Sequence, residues 1–428
     1  MKIKRDMVEN MKILQINEVY RILSTGRTTL ELEEELRKYG HESLVAYAYR
    51  EVPVRRKEKK KELEKGHYVI GTAFDRKIHA LCSRLSGLQG YFSNGATHKL
   101  IGYIKKQKPD IVHLHNVHGN FMNLNKLLAY LGKNDIAVVV TLHDCWFYTG
   151  RCTHYTVNGC YQWRDGCQKC PNNRNTPPTW FFDRCSRMWE DKNKYFSTIK
   201  NLAVIGVSDW ITNQAECSFL KDARLVKRIY NWIDFDVFQL TEAQDIRESL
   251  NIGEEFVILS VAAVWGRAKG LPGIIKLAQK LTDCTFLLVG GMDSSAVLPA
   301  NIKLIPLTNN PYSLAKIYSA ADVYLSLSKE ESFGKTVAEA LACGTPAVTC
   351  SSTALTELVG YHCGYTVSGR SLKKFYNSIL EIKRNGKEHY SEYCIRYTRK
   401  HFSKEPCVQE YIKVFEKLSG SRSQTDTI

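Results

Sequence analysis

The sequence contains no apolar run near the roughly 18 residues needed to cross a bilayer. Its longest candidate, Ile136 to Leu142, reads as a buried strand. The opening MKIKRDMVEN has basic residues with no apolar stretch behind them, so it is not expected to act as a secretion signal. Short-period repeats are absent, and the only low-complexity stretch is the polar tail after Ser419, which excludes a repeat array. Disorder as the dominant state is excluded by a hydrophobic share of 44 %. Acidic residues are scarce in one half only. Residues 1–200 hold 34 Lys and Arg against 20 Asp and Glu, a net +14, whereas residues 201–428 hold 26 against 24, a net +2. The excess points to anionic partners for the first half: nucleic acid, anionic lipid or a phosphorylated substrate. Its densest part is the run Arg55 to Lys65, which a solvated helix face or loop would equally explain. Fourteen cysteines without a secretion signal suit a reducing compartment, where thiols persist or bind metal.

What is present is a long alternation of strand and helix signals. At 428 residues the chain exceeds one ordinary core, and two domains of about 200 residues are expected. Lys12 to Asn17, Asp110 to His115, Ile136 to Leu142 and Asn201 to Val207 read as strands in the first half. A loop holding Ser24, Thr25 and Gly26 follows the first, and then a helix with Leu32, Leu36 and Tyr39 on one face, stopped by Gly40. Phe256 to Val261, Thr285 to Val289, Asp322 to Ser326 and Pro346 to Cys350 repeat the pattern in the second half. Near-continuous apolar strands alternating with helices imply α/β architecture, with parallel sheets covered on both faces. Ligands of such doubly wound folds bind beyond the carboxyl ends of the strands, so functional residues belong in the loops that follow them.

One segment carries most of the functional signal: Tyr324 to Thr349, YLSLSKEESFGKTVAEALACGTPAVT. A strand ends at Ser328, a loop holds Glu331, Ser332, Phe333 and Gly334, and a helix begins near Lys335. Backbone N–H groups at such a helix start suit a phosphate, which Gly334 lets approach closely. This segment resembles the retaining GT-B glycosyltransferases of family four. Their signature is two glutamates separated by seven residues, with Phe-Gly after the first and a small-residue helix ending in Gly-x-Pro. Glu331 and Glu339 fill the acidic positions. The resemblance implies that Glu331 contacts the donor sugar or its phosphate surroundings, and that Glu339 accepts hydrogen bonds from the ribose. Upstream, Lys269-Gly270 matches the pair that the family places against the diphosphate. The Arg that usually stands five residues earlier is here Val264, and Arg267 is the nearby substitute. A fixed ammonium group there would stabilise the departing nucleoside diphosphate.

In the first half, Ser24-Thr25-Gly26-Arg27 and Gly40-His41-Glu42 match the family's small-residue loop and the end of its first helix. Gly26 and Arg27 are thereby placed on the acceptor or phosphate side. In DIVHLHNVHG, alternation sends His113 and His115 to one face, with His118 in the following loop. By the resemblance His115 contacts the donor sugar; His113 reads as structural. The stretch Leu142 to Pro171 carries Cys152, Cys160, Cys167 and Cys170, spaced x7, x6 and x2. Four thiolates can enclose a structural zinc that staples a loop lacking its own core; packed free thiols and disulfides are the alternatives. Similar inserts after Leu-His-Asp occur in the colanic-acid and exopolysaccharide branch of the family. That makes His143 and Asp144 acceptor-side candidates, alongside His118. Asp234-Phe235-Asp236 looks like the family's interdomain loop, and no catalytic metal is expected there.

The expected organisation is a disordered extension at 1–10 and an acceptor-binding Rossmann-like domain at 11–230, with a Cys-rich insert at 145–171. A linker at 231–253 and a nucleotide-sugar-binding domain at 254–400 follow. A helix at 401–418 packs back on the first domain, and a disordered tail occupies 419–428. The two domains would face a central cleft. The implied enzyme is a cytoplasmic hexosyltransferase that transfers a sugar with retention to a saccharide or lipid-linked acceptor in polysaccharide or glycoconjugate synthesis, with a peripheral place on the membrane's inner face and an anionic membrane surface as a further expected partner. No nucleic acid partner is expected. Two alternatives stay open: a sugar-nucleotide epimerase of the same fold, and a basic, zinc-stapled nucleic-acid-binding protein.

Overall fold

The computed structural model of the chain describes residues 10–49, 66–174, 177–292, 297–308 and 310–420. The basic run Arg55 to Lys65, the extension before Asn10 and the tail beyond Gly420 lie outside the described residues. The chain separates into two compact units. One runs to Ile229 and takes in the chain from Val408 onward; the other spans Tyr230–Cys407.

The first unit is built on β1 (Lys12–Val19), β2 (Glu42–Tyr49), β3 (His67–Val69), β4 (Ile111–Leu114), β5 (Ala137–Leu142), β6 (Leu202–Gly206) and β7 (Leu225–Arg228). They form a seven-stranded sheet in the order β3-β2-β1-β4-β5-β6-β7, and every pairing is parallel. The second unit holds β8 (Phe256–Val264), β9 (Cys284–Gly291), β10 (Ile302–Ile305), β11 (Val323–Ser326), β12 (Ala347–Cys350) and β13 (Gly364–Val367). Its order is β10-β9-β8-β11-β12-β13, again all parallel. Central strands read as the burial demands: AVVVTL in β5 and AVTC in β12 are buried at every position.

Parallel pairing requires a crossover between strands, and helices supply it. In the first unit these are α1 (Leu23–Lys38), α2 (Ala73–Ser86), α3 (Asn94–Gln107), α4 (Leu124–Lys133), α5 (Cys185–Phe196) and α6 (Asp209–Glu216). In the second they are α8 (Leu271–Ala278), α9 (Pro311–Ala320), α10 (Lys335–Ala342) and α11 (Leu355–Leu358), while α7 (Gln244–Ser249) precedes the first strand of that sheet and α12 (Leu372–Asn385) and α13 (Glu388–Phe402) follow the last. The last helix, α14 (Lys404–Ser419), starts in the second unit, and from Val408 it belongs to the first. There the Tyr411 hydroxyl lies 3.0 Å from Thr141 Oγ1, and Phe415 meets the His113 ring edge-on at 5.6 Å.

Two boundaries differ from the sequence reading. Ser24, Thr25, Gly26 and Arg27 were expected in a loop, yet α1 already begins at Leu23. The reversal is made by Arg21 and Leu23, both with positive φ, and the hydroxyls of Thr28 and Thr29 bond back to the carbonyls of Ser24 and Thr25. Residues 231–253, expected as a linker, belong to the second unit. Arg247 fixes them there by donating to Asp322 Oδ2 at 2.8 Å and to the Ala320 carbonyl at 3.1 Å.

The turn after β1 is held by a buried carboxylate. Glu33 on α1 is fully enclosed. It accepts from the Tyr20 hydroxyl at 2.5 Å and pairs with His67 Nε2 at 2.8 Å and the Arg37 guanidinium at 2.5 Å. Glu33→Ala would remove the carboxylate that Tyr20 and His67 share in the core. Loss of one partner from such a buried cluster costs about 3–5 kcal/mol. Chemical denaturation should show a loss of that order, and a loss near zero would contradict the role given to Glu33.

Candidate functional site

In each sheet the strand order reverses beside one strand: β1 pairs with β2 and β4, and β8 pairs with β9 and β11. At such switch points the loops leaving adjacent strands diverge and open a crevice. In the second unit those loops follow β8 and β11. The first carries Lys269; the second carries Ser328, Glu331, Ser332, Phe333 and Gly334. Lys269 Nζ stands 2.5 Å from Glu331 Oε1, and Ser328 Oγ donates to the same oxygen at 2.8 Å. The Glu331 backbone N–H donates to Thr353 Oγ1 at 2.9 Å, and its carbonyl accepts from the Ala354 N–H at 3.2 Å. Side-chain exposures of 38 % for Lys269 and 23 % for Glu331 leave both reachable from solvent. Ser328 and Thr353, which fix Glu331, were not singled out in the sequence.

Two glycines shape this corner. Gly270 has φ 79°, and a Cβ there would sit 2.4 Å from that of Leu327. Gly334 has φ 97° and a Cβ there would lie 2.9 Å from Leu355 and Leu358. Helix α10 begins directly after Gly334, so its unbonded first N–H groups are presented beside Glu331. Glu339 lies on the same helix, 2 % exposed, and accepts from the Tyr318 hydroxyl at 3.0 Å. The ring of Phe333 packs inward, edge-on to Phe402 at 5.4 Å and near Tyr230 at 6.0 Å. Val264 is exposed. Arg267, its nearest cationic substitute, is also exposed and lines another pocket of about 290 Å³ with Leu327, Leu372 and Phe375.

In the first unit the histidines after β4 and β5 come together. Gln15 Nε2 donates to the Thr29 carbonyl at 3.2 Å, which turns its Oε1 toward His115 Nε2 at 3.1 Å. His115 Nε2 therefore carries the proton, and Nδ1 accepts from His143 Nε2 at 3.0 Å. Burial, with His113 and His143 alongside, holds His115 far below the ordinary imidazole range. It is a neutral ring with both nitrogens engaged inside the protein; His143, half-buried, presents the more accessible imidazole. His113 is enclosed, with Nε2 2.8 Å from Thr141 Oγ1, and burial lowers its pKa to about 3. Gly26 is buried against β1, where a Cβ would lie 3.2 Å from the Tyr20 nitrogen; Arg27 is half-buried beside it.

His118 and Asp144 form a pair at 2.8 Å. Burial alone would lower the His118 pKa, but the bonded Asp144 carboxylate and Glu18 outweigh it and raise the value. Burial pushes Asp144 up and His118 and the Trp146 N–H pull it down, with a net lowering. Glu18 is raised, chiefly by burial.

Cys152, Cys160, Cys167 and Cys170 do converge, lining one small cavity together with Cys185 from α5, which the spacing did not suggest. Among the described residues, however, no group of three or more His, Cys, Asp or Glu side chains is arranged to hold a metal, and all fourteen cysteines are free thiols. The expected zinc staple is thus not supported. The insert has a core of its own instead, in the fully buried Trp146, Tyr148, Tyr155 and Trp163. Lys192 reinforces it, donating to the carbonyls of Trp146, Thr149 and Gly150 at 2.6, 2.9 and 3.3 Å. Desolvation takes that ammonium down to about 7. Asp234 closes a turn by accepting from the Asp236 N–H at 3.1 Å.

Each of the two units matches a known family model. A family model described as glycosyl transferases group 1 matches residues 242–401, and one described as glycosyltransferase family 4 matches residues 25–237. The chain is similar to a putative colanic acid biosynthesis glycosyl transferase, WcaC, of Escherichia coli K12. Identity is 22 % over 339 residues, covering 72 % of this chain and 77 % of the relative. N-acetyl-alpha-D-glucosaminyl L-malate synthase of Bacillus anthracis is 24 % identical over 37 % of this chain and 45 % of its own length. Among solved structures, sucrose-phosphate synthase from Thermosynechococcus elongatus superposes with a TM-score of 0.70 at 17 % identity, covering 96 % of this chain and all of that one. Anabaena HepE in complex with UDP and glucose gives 0.62 at 16 % identity, covering 95 % of this chain and 100 % of that one. These structures share the GT-B fold, two parallel α/β sheets in separate units.

The His118–Asp144 pair makes stability depend on pH. A raised His118 pKa contributes stability that is complete below the unfolded value of 6.5 and fades as pH rises through the folded value. The lowered Asp144 contributes above its unfolded 3.8 and fades as pH falls through its folded value. Wild type should exceed His118→Gln in thermal stability most between about pH 4 and 6.5, with the margin narrowing toward pH 9. An equal margin at pH 6 and pH 9 would contradict the pairing.

Proposed function

The chain belongs to the family 4 glycosyltransferases, and from that premise we propose that its donor is a nucleotide sugar. The sugar, a hexose in this reading, goes to a saccharide or lipid-linked acceptor with retention at the anomeric carbon. The setting is polysaccharide or glycoconjugate assembly on the cytoplasmic side. The observation that carries the reading is the meeting of Lys269 and Glu331 on adjacent loops at the switch point, beside the start of α10.

A nucleoside diphosphate leaving group gains negative charge as the glycosidic bond to it breaks. Lys269 is held by one carboxylate, and a diphosphate offers the ammonium more charge than Glu331 does. Exchange of the ammonium onto the phosphates would release Glu331 to accept hydrogen bonds from the sugar hydroxyls. The first N–H groups of α10 and the Ser332 hydroxyl complete the phosphate side. Glu339, its Oε2 steadied by Tyr318, serves the ribose hydroxyls. With Val264 in the place of the usual Arg and Arg267 lining a different pocket, Lys269 and the helix start bear the leaving-group charge. His143, oriented by His115 and Gln15, is the imidazole on the acceptor side. No side chain here stands out as a covalent nucleophile, which favours attack by the acceptor hydroxyl on the face the phosphate leaves.

Once a panel of nucleotide sugars has identified the donor, Lys269→Ala should lower turnover by about 10²–10³-fold, the usual loss for one charge-stabilising donor, with an unchanged thermal transition. Near-normal turnover would overturn the assignment. Glu339→Ala should weaken donor binding in a protein that still folds; unchanged donor affinity would remove Glu339 from the site.

A further inference from the structure

The loops after β8 and β11 each have two faces, and the Lys269–Glu331 corner uses only one of them. Ser326 and Ser328 line that corner together with Lys269 and Glu331. The residues that alternate with them, Leu327 and Lys329, line a different cavity of about 290 Å³. Arg267 and Gly270, which flank Lys269 in the other loop, line the same cavity. The Lys329 N–H donates to the Ala268 carbonyl at 3.1 Å, which joins the two loops into one shared wall. The opposite side is made by α8, through Gly273 and Lys276, and by α12, through Leu372 and Phe375. Residues three apart lie on one face of a helix, so each helix turns a continuous strip toward the space.

The lining is apolar within and cationic outside. Phe375 is fully buried and Leu327 is buried beside it. Gly273 lets α8 close against Leu327, since a Cβ there would lie 2.5 Å from Leu327 Cδ2. Arg267 and Lys276 are exposed and Lys329 is half-buried. All three line the cavity and no acidic residue does; Glu330, next to Lys329 in the chain, lies outside the lining. None of the three forms an ion pair among the described residues, whereas Lys269 is held by Glu331. Like charges gathered without a counter-charge repel one another, and a bound anion would relieve that repulsion.

We propose that this cavity is a second ligand site, for a small organic phosphate with an apolar body. Its volume is near the lower end of the range for small-molecule pockets. The body would enter between α8 and α12, against Leu327, Leu372 and Phe375. The phosphate would stay among the three cations, where a guanidinium such as that of Arg267 can bond two oxygens at once. A dianionic phosphate suits three cations better than a single carboxylate does. Lys269 and Glu331 are not among the lining residues, so the site stands apart from the donor corner and does not depend on the donor reading.

Isothermal titration of the full chain with 1-naphthyl phosphate, in the absence of any nucleotide, tests it. 1-Naphthol carries the body without the charge, and inorganic phosphate the charge without the body. Wild type should bind the ester at least about tenfold more tightly than either, because only the ester meets both parts of the lining. K276Q/K329Q removes two of the three cations at positions outside the donor corner. It should keep the wild-type thermal transition and lose about tenfold or more in affinity for the ester. Lys269→Ala should bind the ester like wild type. The proposal is overturned if wild type does not bind the ester, if 1-naphthol or inorganic phosphate binds as tightly, or if K276Q/K329Q binds like wild type. Loss of binding in Lys269→Ala would also overturn it and place the phosphate in the donor corner instead.

Discussion

A strand in a parallel sheet cannot turn back directly to pair with its predecessor. Each must be followed by a crossover, and every strand then ends on the same edge of the sheet. Both units obey this constraint throughout, and the positions of the candidate residues follow from it. Lys269 and Glu331 are 62 residues apart in sequence but leave neighbouring strands, so their side chains meet. Gln15 and His115, 100 residues apart, meet for the same reason across β1 and β4. The single reversal in each strand order then opens a space between loops that the helices do not fill.

Enclosed polar groups in the first unit are tied into hydrogen-bonded networks. Glu33 is surrounded by three donors, and Lys192 by three carbonyls and the face of Trp146. His115 is kept neutral and His118 is drawn toward the cation, although the two lie three positions apart; only the second has a carboxylate within reach. Such networks are costly to disturb because each buried group would lose its partner without regaining water. They make a rigid platform from which half-buried groups such as His143 can act.

Much of this was legible in the sequence, and what was not has identifiable causes. The eight strands read from apolar runs are all present, because a strand covered on both faces leaves a continuous apolar signature. The strands missed include β3, β7, β10 and β13, which are the edges of the two sheets. Edge strands are short and half covered, and HYV, LVKR, IKLI and GYTV show little pattern. The loop-to-helix boundary at Ser24 was misplaced because Arg21 and Leu23 make a turn usually assigned to glycine. Cysteine spacing anticipated a cluster but neither Cys185, which arrives from a separate helix, nor the aromatic core of the insert. His115 was recognisable as a strand-end histidine, but its burial behind His143 depends on Gln15, which no local pattern connects to it.

The central claim is that the switch point of the second unit receives a nucleoside diphosphate, which takes Lys269 from Glu331. Isothermal titration of the matching nucleoside diphosphate and monophosphate into wild type and Lys269→Ala addresses it most directly, because it requires neither an acceptor nor turnover. The account predicts that wild type binds the diphosphate more tightly than the monophosphate and that Lys269→Ala erases most of this preference. Equal affinities in wild type, or a preference that survives the substitution undiminished, would contradict it.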